Sequence, residues 1–362
     1  MSIQAPQKTV GRVNGLDIAR AFAIFGMILE NYVDTMVPNY TDGNPAWLVW
    51  LLSQLEGHSA PVFVILAGIS VSLMTQKARE IADFTQMAKY RRTILKRALF
   101  LFGAGFLHSL IWDPDILHFF AVYMLIALAF LTASSRMLII AAIISILTFP
   151  FLYLFCNYGA GWNFTTLTYL DLWSPAGTLH HIFYNGFHPV FPWLAFFFIG
   201  MWMGRGALFA LKFRARVLAG ALAILAVIET FARVADHLLE KSTGSLIDFL
   251  GTQIMPLMPL YVLSSGAMAI IIIILSLMIC DRLKGRMGNF LMVRTGQMSL
   301  IIYLGHTLIG LLALDAMGLM ENQTLSLAVG YAALVIIFSV SFVYLWRFVA
   351  RYGPVEWLMR NV

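Results

Sequence analysis

The chain has 362 residues, 60% of them hydrophobic and only 12% charged, with a mean hydropathy of +0.82. Soluble globular domains carry about 25% charged residues, so this composition excludes one and defines an all-α polytopic membrane protein, since lipid cannot satisfy open sheet edges. The net charge of +6 then reads as topology and attraction to anionic lipid head groups; no nucleic acid is expected as a partner.

The opening "MSIQAPQKTVGRVNG" lacks the short apolar core and cleavage site of a signal peptide. It is read as a cytoplasmic segment, 1–15, and the first apolar run as a retained helix. At about 20 residues per crossing, the apolar runs predict a bundle of about ten transmembrane helices. These cover 16–37, 59–76, 95–112, 116–134, 137–156, 190–206, 215–235, 256–280, 297–317 and 324–349. Alternation from a cytoplasmic N-terminus puts 21 of the 24 Lys and Arg on the inner side and both termini in the cytoplasm. The connection 157–189 holds no Lys or Arg and is expected to be a large extracytoplasmic loop. Residues 1–362 are expected to form a single integral-membrane domain, placed as a multi-pass protein in the plasma membrane, the inner membrane of a bacterium. Cys156 and Cys280 fall at opposite membrane faces, so no intramolecular disulfide is expected.

That orientation sends the histidines outward. His58, His108, His118, His180, His181, His188 and His237 lie at or near the outer side, and His306 lies mid-span. Glu30, Asp34, Glu56, Asp113, Asp115 and Asp171 crowd the same half. The result is an outer basin of groups that exchange protons near neutral pH. Ligand spacing for a metal is absent, and none is expected. His180 and His181 read as solvated loop residues, His188 as shaping the entry to the sixth span, and His237 with Asp236 and Glu240 as a hydrated helix end. Glu30 and Asn31 sit inside the first span, where a carboxylate costs about 2.5–3.5 kcal/mol at the membrane centre and usually faces a cavity. Asp17 and Arg20 share a helix face and can pair, and Glu229 and Arg233 have the spacing of a structural pair. Gly200 and Gly204 let helices approach closely.

Several stretches resemble known membrane acyltransferases. "RVNGLDIARAFAIFGMILENY" is similar to the first helix of the heparan-α-glucosaminide N-acetyltransferase group of the transmembrane acyltransferase superfamily, through Arg12, Asp17, Arg20, Asn31 and Tyr32. Its second-helix motif is matched by Pro61, Gly68 and Ser70, and its Pro-Trp…Gly…Gly-Arg helix by Pro192, Trp193, Gly200, Gly204 and Arg205. The middle and end resemble YeiB-like proteins of the same superfamily. Gly105, His108, Asp115, Ile116 and Leu117 fit their Gly-x-x-His and acidic turn; Gly353, Pro354, Glu356 and Arg360 fit their ending. "GQMSLIIYLGHT" is similar to their late Gly-x-x-Ser-Leu-x-x-Tyr helix. No His follows Asn31-Tyr32 where the acetyltransferases carry their active-site one; the His before Pro61 is His58.

The resemblance implies an integral-membrane acyltransferase with acyl-CoA, acetyl-CoA in the first instance, as co-substrate. The acyl group would pass from the cytoplasm to a hydroxyl or amine of an extracytoplasmic sugar, glycan or lipid. Arg20, Arg91, Arg92 and Arg97 would meet the donor's phosphates. His58 with Glu56 is the favoured base, and His118 and His108 with Asp115 the alternative; Asn31 would hold the oxyanion. Glu30, Asp113, His188, Trp193 and His306 would line the substrate path. The competing reading is a proton-coupled transporter or exporter of a small amphiphile or lipid, with Glu30, His306 and the outer cluster as relay. The bilayer and a small-molecule, glycan or lipid acceptor are the expected partners, with a second copy of the chain in a homodimer as a further one.

Overall fold

The computed structural model describes residues 13–37, 43–206, 208, 210–239, 249–283 and 285–361; Arg12 and Glu240 lie outside the described residues. Helix α1 (Asn14–Met36) is followed by the short α2 (Ala46–Ser53), then α3 (Ser59–Glu80) and α4 (Phe84–His108). Helix α5 (Leu117–Ala127) runs on through a 3₁₀ turn to Phe130, and α6 (Ser135–Phe155) follows. The 157–189 connection carries strands β1 (Trp162–Asn163) and β2 (Thr168–Tyr169), paired antiparallel, then α7 (Pro175–His180) and a π-helical turn (His181–Asn185). Next come α8 (Val190–Arg205), α9 (Leu211–Leu239), α10 (Pro259–Arg282) and α11 (Met287–Gln297). Helix α12 (Ser299–Gly305) continues through a second π-helical turn (His306–Leu311) into α13 (Leu312–Ala316). The described chain closes with α14 (Leu325–Trp346) and α15 (Pro354–Asn361).

Helix starts follow local chemistry. The side chains of Asp83, Ser134, Ser174 and Thr324 each accept from the backbone N–H three residues on, at α4, α6, α7 and α14. All ten expected spans coincide with helices. Among the described residues, six helices are long and apolar enough to cross a membrane, or seven if α7 with its π-helical turn and α8, bent by 50°, count as one. Three others fall short for visible reasons. Helix α1 carries Asp17, Arg20, Glu30 and Asp34, α4 spends its first half on basic residues, and the α5 rod ends at Phe130.

The bundle is built on α3 and α8. At their crossing a Cβ on Gly200 would stand 2.1 Å from the Ile65 carbonyl oxygen, and one on Gly68 would stand 2.1 Å from that of Phe197. Only glycine permits this approach of two backbones. Helices α6, α9 and α14 turn apolar side chains outward, among them Ile144, Phe151, Phe231, Ile337 and Phe338. Only 6% of the most apolar window of α9 is buried, which marks a lipid-facing helix.

Helix polarity sorts the ends of the rods. The start of α1, the end of α3 and the start of α4 share one end of the bundle, rich in Arg and Lys. The end of α1, the start of α3 and the turn 109–116 share the other, rich in His.

Candidate active site

At the histidine end, Asp115 is the centre of a closed polar cluster. It sits in the turn between α4 and α5 with 0% exposure, and its carboxylate lies between two buried imidazoles. His108 Nδ1 is 2.7 Å from Asp115 Oδ1, and His118 Nδ1 is 2.8 Å from Oδ2. The His118 backbone N–H also donates to Oδ2, and Tyr303 OH donates to Oδ1, each at 3.2 Å. Burial alone would push this carboxyl up; the hydrogen bonds from His108 and His118 hold it below the usual carboxylate value. Sequence dictates the turn's tightness. Gly105, one helical turn before His108, faces the His118 backbone, and a Cβ there would stand 2.4 Å from His118 N and 2.7 Å from Asp115 Oδ2.

The two imidazoles differ in what remains available. His108 Nε2 is 2.7 Å from Thr307 Oγ1, so both its ring nitrogens are engaged. His118 Nε2 is buried and has no partner on the protein. In the neutral ring, Nδ1–H given to Asp115 leaves the lone pair on Nε2, which is the arrangement a general base requires. His306 is occupied differently. Asn31 Nδ2 donates to His306 Nε2 at 2.9 Å, which leaves the ring proton on Nδ1, 3.3 Å from the Ile302 carbonyl. Tyr32 OH donates to the His306 carbonyl at 2.6 Å. His306 therefore fixes Asn31 to the second π-helical turn.

Below this cluster lies an apolar cavity of about 260 Å³. Arg20, Ser70, Arg97 and Met359 line it toward the basic end, and Ile116, Leu117 and Tyr303 line it next to Asp115. Phe63, Ala67, Leu101 and Phe120 are among the apolar side chains between. The Asp17–Arg20 pair forms at 2.5 Å, and Arg20 also donates to Ser70 Oγ at 2.6 Å.

The other expected site residues distribute as follows. Arg97 reaches the cavity, whereas Arg91 and Arg92 are exposed on α4 away from its wall. His58 stands at the start of α3, its Nδ1 buried without a partner on the protein, within the electrostatic reach of Glu56 and Glu229. Like His108, Asp115 and His118, it is not among the residues that line the cavity. Glu30 accepts from Ser59 Oγ at 2.6 Å, so the two faces of α1 at this level serve separate groups, Glu30 toward α3 and Asn31 toward His306. Asp113 is half-buried in the turn, and burial pushes its carboxyl up. Trp193 is buried with its ring 4.6 Å from that of His188.

Two expectations are corrected. Glu229 forms its side-chain hydrogen bond with Ser264, whose Oγ donates to it at 2.5 Å across the contact of α9 with α10, and not an ion pair with Arg233. His181 is no solvated loop residue: it is 1% exposed, on the π-helical turn, with its ring stacked on His118 at 5.5 Å. Its neighbour His180 is exposed as expected. Sequence reasoning gave no role to Thr307, Ser59 or Met359. Tyr303 stood in the Gly-x-x-Ser-Leu-x-x-Tyr motif, which was the one signal for it. Among the described residues, no group of three His, Cys, Asp or Glu side chains is arranged to hold a metal.

The fold and the cluster together define a polytopic helical membrane protein with a buried carboxylate–imidazole group above an apolar cavity. Residues 12–240 match the family described as heparan-alpha-glucosaminide N-acetyltransferase, catalytic, and the chain belongs to that family. Residues 203–362 match a second family, described as protein of unknown function (DUF418). No curated protein matches the chain. The two matches agree with the two resemblances read from the motifs, and they make the protein membrane acetyltransferase-like.

Proposed function

We propose that the protein transfers an acyl group, acetyl in the first instance, from cytoplasmic acyl-CoA to an acceptor on the outer side. The observation that carries this reading is the cavity that joins Arg20 and Arg97 to Tyr303, which in turn donates to Asp115. The reading includes ten spans in a single integral-membrane domain, both termini in the cytoplasm, and a place in the plasma membrane, in a bacterium the inner one. The two arginines would meet donor phosphates. At about 260 Å³ the cavity is below the ~300–1,000 Å³ of whole-ligand pockets, which suits the acyl-bearing arm and leaves the nucleotide at the basic end.

In this reading His118 Nε2 is the general base, Asp115 fixes its tautomer, and His108 holds Asp115. The choice of His118 over His58 rests on its unengaged Nε2 and its carboxylate partner. Asn31, steadied by His306, keeps a second N–H for a developing oxyanion. The test incubates the purified protein with radiolabelled acetyl-CoA and a panel of hexosamines, glycans and lipids. His118→Ala is expected to lower transfer by about 10²–10⁴, while His58→Ala retains it. Failure to bind any acyl-CoA, together with substrate-dependent proton flux in liposomes, would overturn the reading in favour of an exporter.

A further inference from the structure

A second cavity, of about 200 Å³, lies between the end of α9 and the segment 250–253. It belongs to the histidine end of the bundle. Glu229 on its wall accepts from Ser264 near the start of α10, and Tyr261 of that helix donates to the Gly57 carbonyl just before α3. Unlike the cavity below Asp115, this one is walled by polar groups: Glu229, Arg233, Asp236, Thr252 and Gln253.

Glu229, Arg233 and Asp236 are four and three residues apart, so they share one face of α9, and such spacing ordinarily favours ion pairs. Arg233 pairs with neither acid. Among the described residues, no hydrogen bond or ion pair engages the side chains of Arg233, Asp236, Thr252 or Gln253. A cation and an acid standing apart around a cavity, with a hydroxyl and an amide opposite, match a ligand that carries both signs itself.

The helix says where that ligand comes from. Only 6% of the most apolar window of α9 is buried, so the helix meets lipid. Leu222, seven residues before Glu229 and on the same face, is 49% exposed. From the membrane interior outward this face is apolar at Leu222, then cationic at Arg233, then anionic at Asp236; between them Glu229 gives its Oε1 to Ser264. A phospholipid with an ethanolamine head has the complementary order: chains, phosphate, ammonium. Arg233 and Asp236 are separated by about 4.5 Å of helix rise, which is close to the length of an ethanolamine unit. A soluble zwitterion matches the charges but has nothing to lay along Leu222. At about 200 Å³ the cavity suits a head group, since whole-ligand pockets run to ~300–1,000 Å³.

We propose that this cavity binds the head group of a zwitterionic phospholipid with a primary ammonium, drawn from the leaflet at the histidine end. Arg233 holds the phosphate, with Thr252 and Gln253 donating to its oxygens. Asp236 accepts from the ammonium, and the chains run down α9 along Leu222. The site does not depend on acyl transfer.

The experiment strips the full chain of lipid in detergent and titrates it with phosphatidylethanolamine, phosphatidylcholine, phosphatidylglycerol and soluble phosphoethanolamine. Native mass spectrometry counts the lipid retained. Phosphatidylethanolamine should be held about fivefold more tightly than either other lipid, because choline has no N–H to donate and glycerol no positive charge. Arg233→Gln should weaken all three lipids. Asp236→Asn should bring phosphatidylethanolamine down to the level of phosphatidylglycerol and leave the latter unchanged. Both residues are exposed, so both variants should melt at the wild-type temperature when free of lipid. Equal retention of phosphatidylglycerol and phosphatidylethanolamine by the wild type overturns the proposal, as does retention untouched by both variants. Displacement of the lipid by an equimolar amount of phosphoethanolamine overturns it in favour of a soluble ligand.

Discussion

Asp115 draws donors from three separate parts of the chain: His108 at the end of α4, His118 and its backbone N–H in α5, and Tyr303 in α12. Its folded carboxyl is held below the usual value, so its stabilising contribution is present above the unfolded value of about 3.9 and is lost as pH falls through the folded one. Asp115→Asn is expected to lower transfer by about 10²–10⁴, since an amide does not hold His118 with its proton on Nδ1. It should also be less stable than wild type at neutral pH, and that gap should narrow as the medium falls below about pH 3.9. Thermal unfolding in detergent across pH checks this; a gap that stays constant refutes the role given to the ionised carboxylate. Gly105→Ala should cost about 1–3 kcal/mol, read in the same melts, because its Cβ has no room beside His118 N. The Gly-x-x-His spacing and the acidic turn were visible in the sequence, as was the i,i+3 relation of Asp115 to His118. The burial of His181 was not, because a His-His pair in a loop gives no periodic signal and the π-helical turn that buries it has none either.

At the level of elements, the short terminal helix α15 does more than end the chain. Glu356 Oε1 accepts from the backbone N–H groups of Leu300 and Ile301, each at 3.0 Å, and so caps the start of α12. The next turn brings Met359 to the cavity wall, and Arg360 lies near enough to Arg97 for their charges to interact. Glu356→Ala should therefore cost about 1–3 kcal/mol and raise the KM for acetyl-CoA, whereas Glu356→Gln, which keeps the acceptor oxygen, should be much milder. Thermal melts and donor titrations measure both; equal loss in the two variants would contradict the capping role. The Gly-Pro-x-Glu ending is readable as a motif, yet Leu300, whose N–H it caps, lies 56 residues earlier in the chain, and no local pattern reports such a contact. The crossing of α3 and α8 was more legible, since Gly200 and Gly204 announce a close approach and only the partner had to be supplied by the fold.

For the molecule as a whole, hydropathy located the ten long helical stretches but not α2, α7, α11 or α15, and it ranked the ten poorly. Helices α1, α4 and α5 carry residues of the proposed site, and their charges or shortness are what weaken them as membrane spans. Conversely α6, α9, α10 and α14 read most clearly as spans, and of these α6, α9 and α14 turn most of their apolar surface outward. The topology has a direct check. In a Cys156→Ser, Cys280→Ser background, Asp171→Cys should react with a membrane-impermeant maleimide in intact cells. Arg91→Cys should react only after permeabilisation. The reverse pattern would invert the orientation, and with it the side on which acceptor is met.

The cavity wall has a consequence for how such a chain can change. Arg20, Arg97 and Leu101 belong to the stretch matched by the acetyltransferase family, while Ser299, Tyr303 and Met359 belong to the stretch matched by the second family. Neither stretch encloses the cavity without the other. A recombinant that joins the front of one homologue to the back of another therefore cuts through the cavity lining rather than between two finished modules. Its two faces have to be inherited, and altered, together.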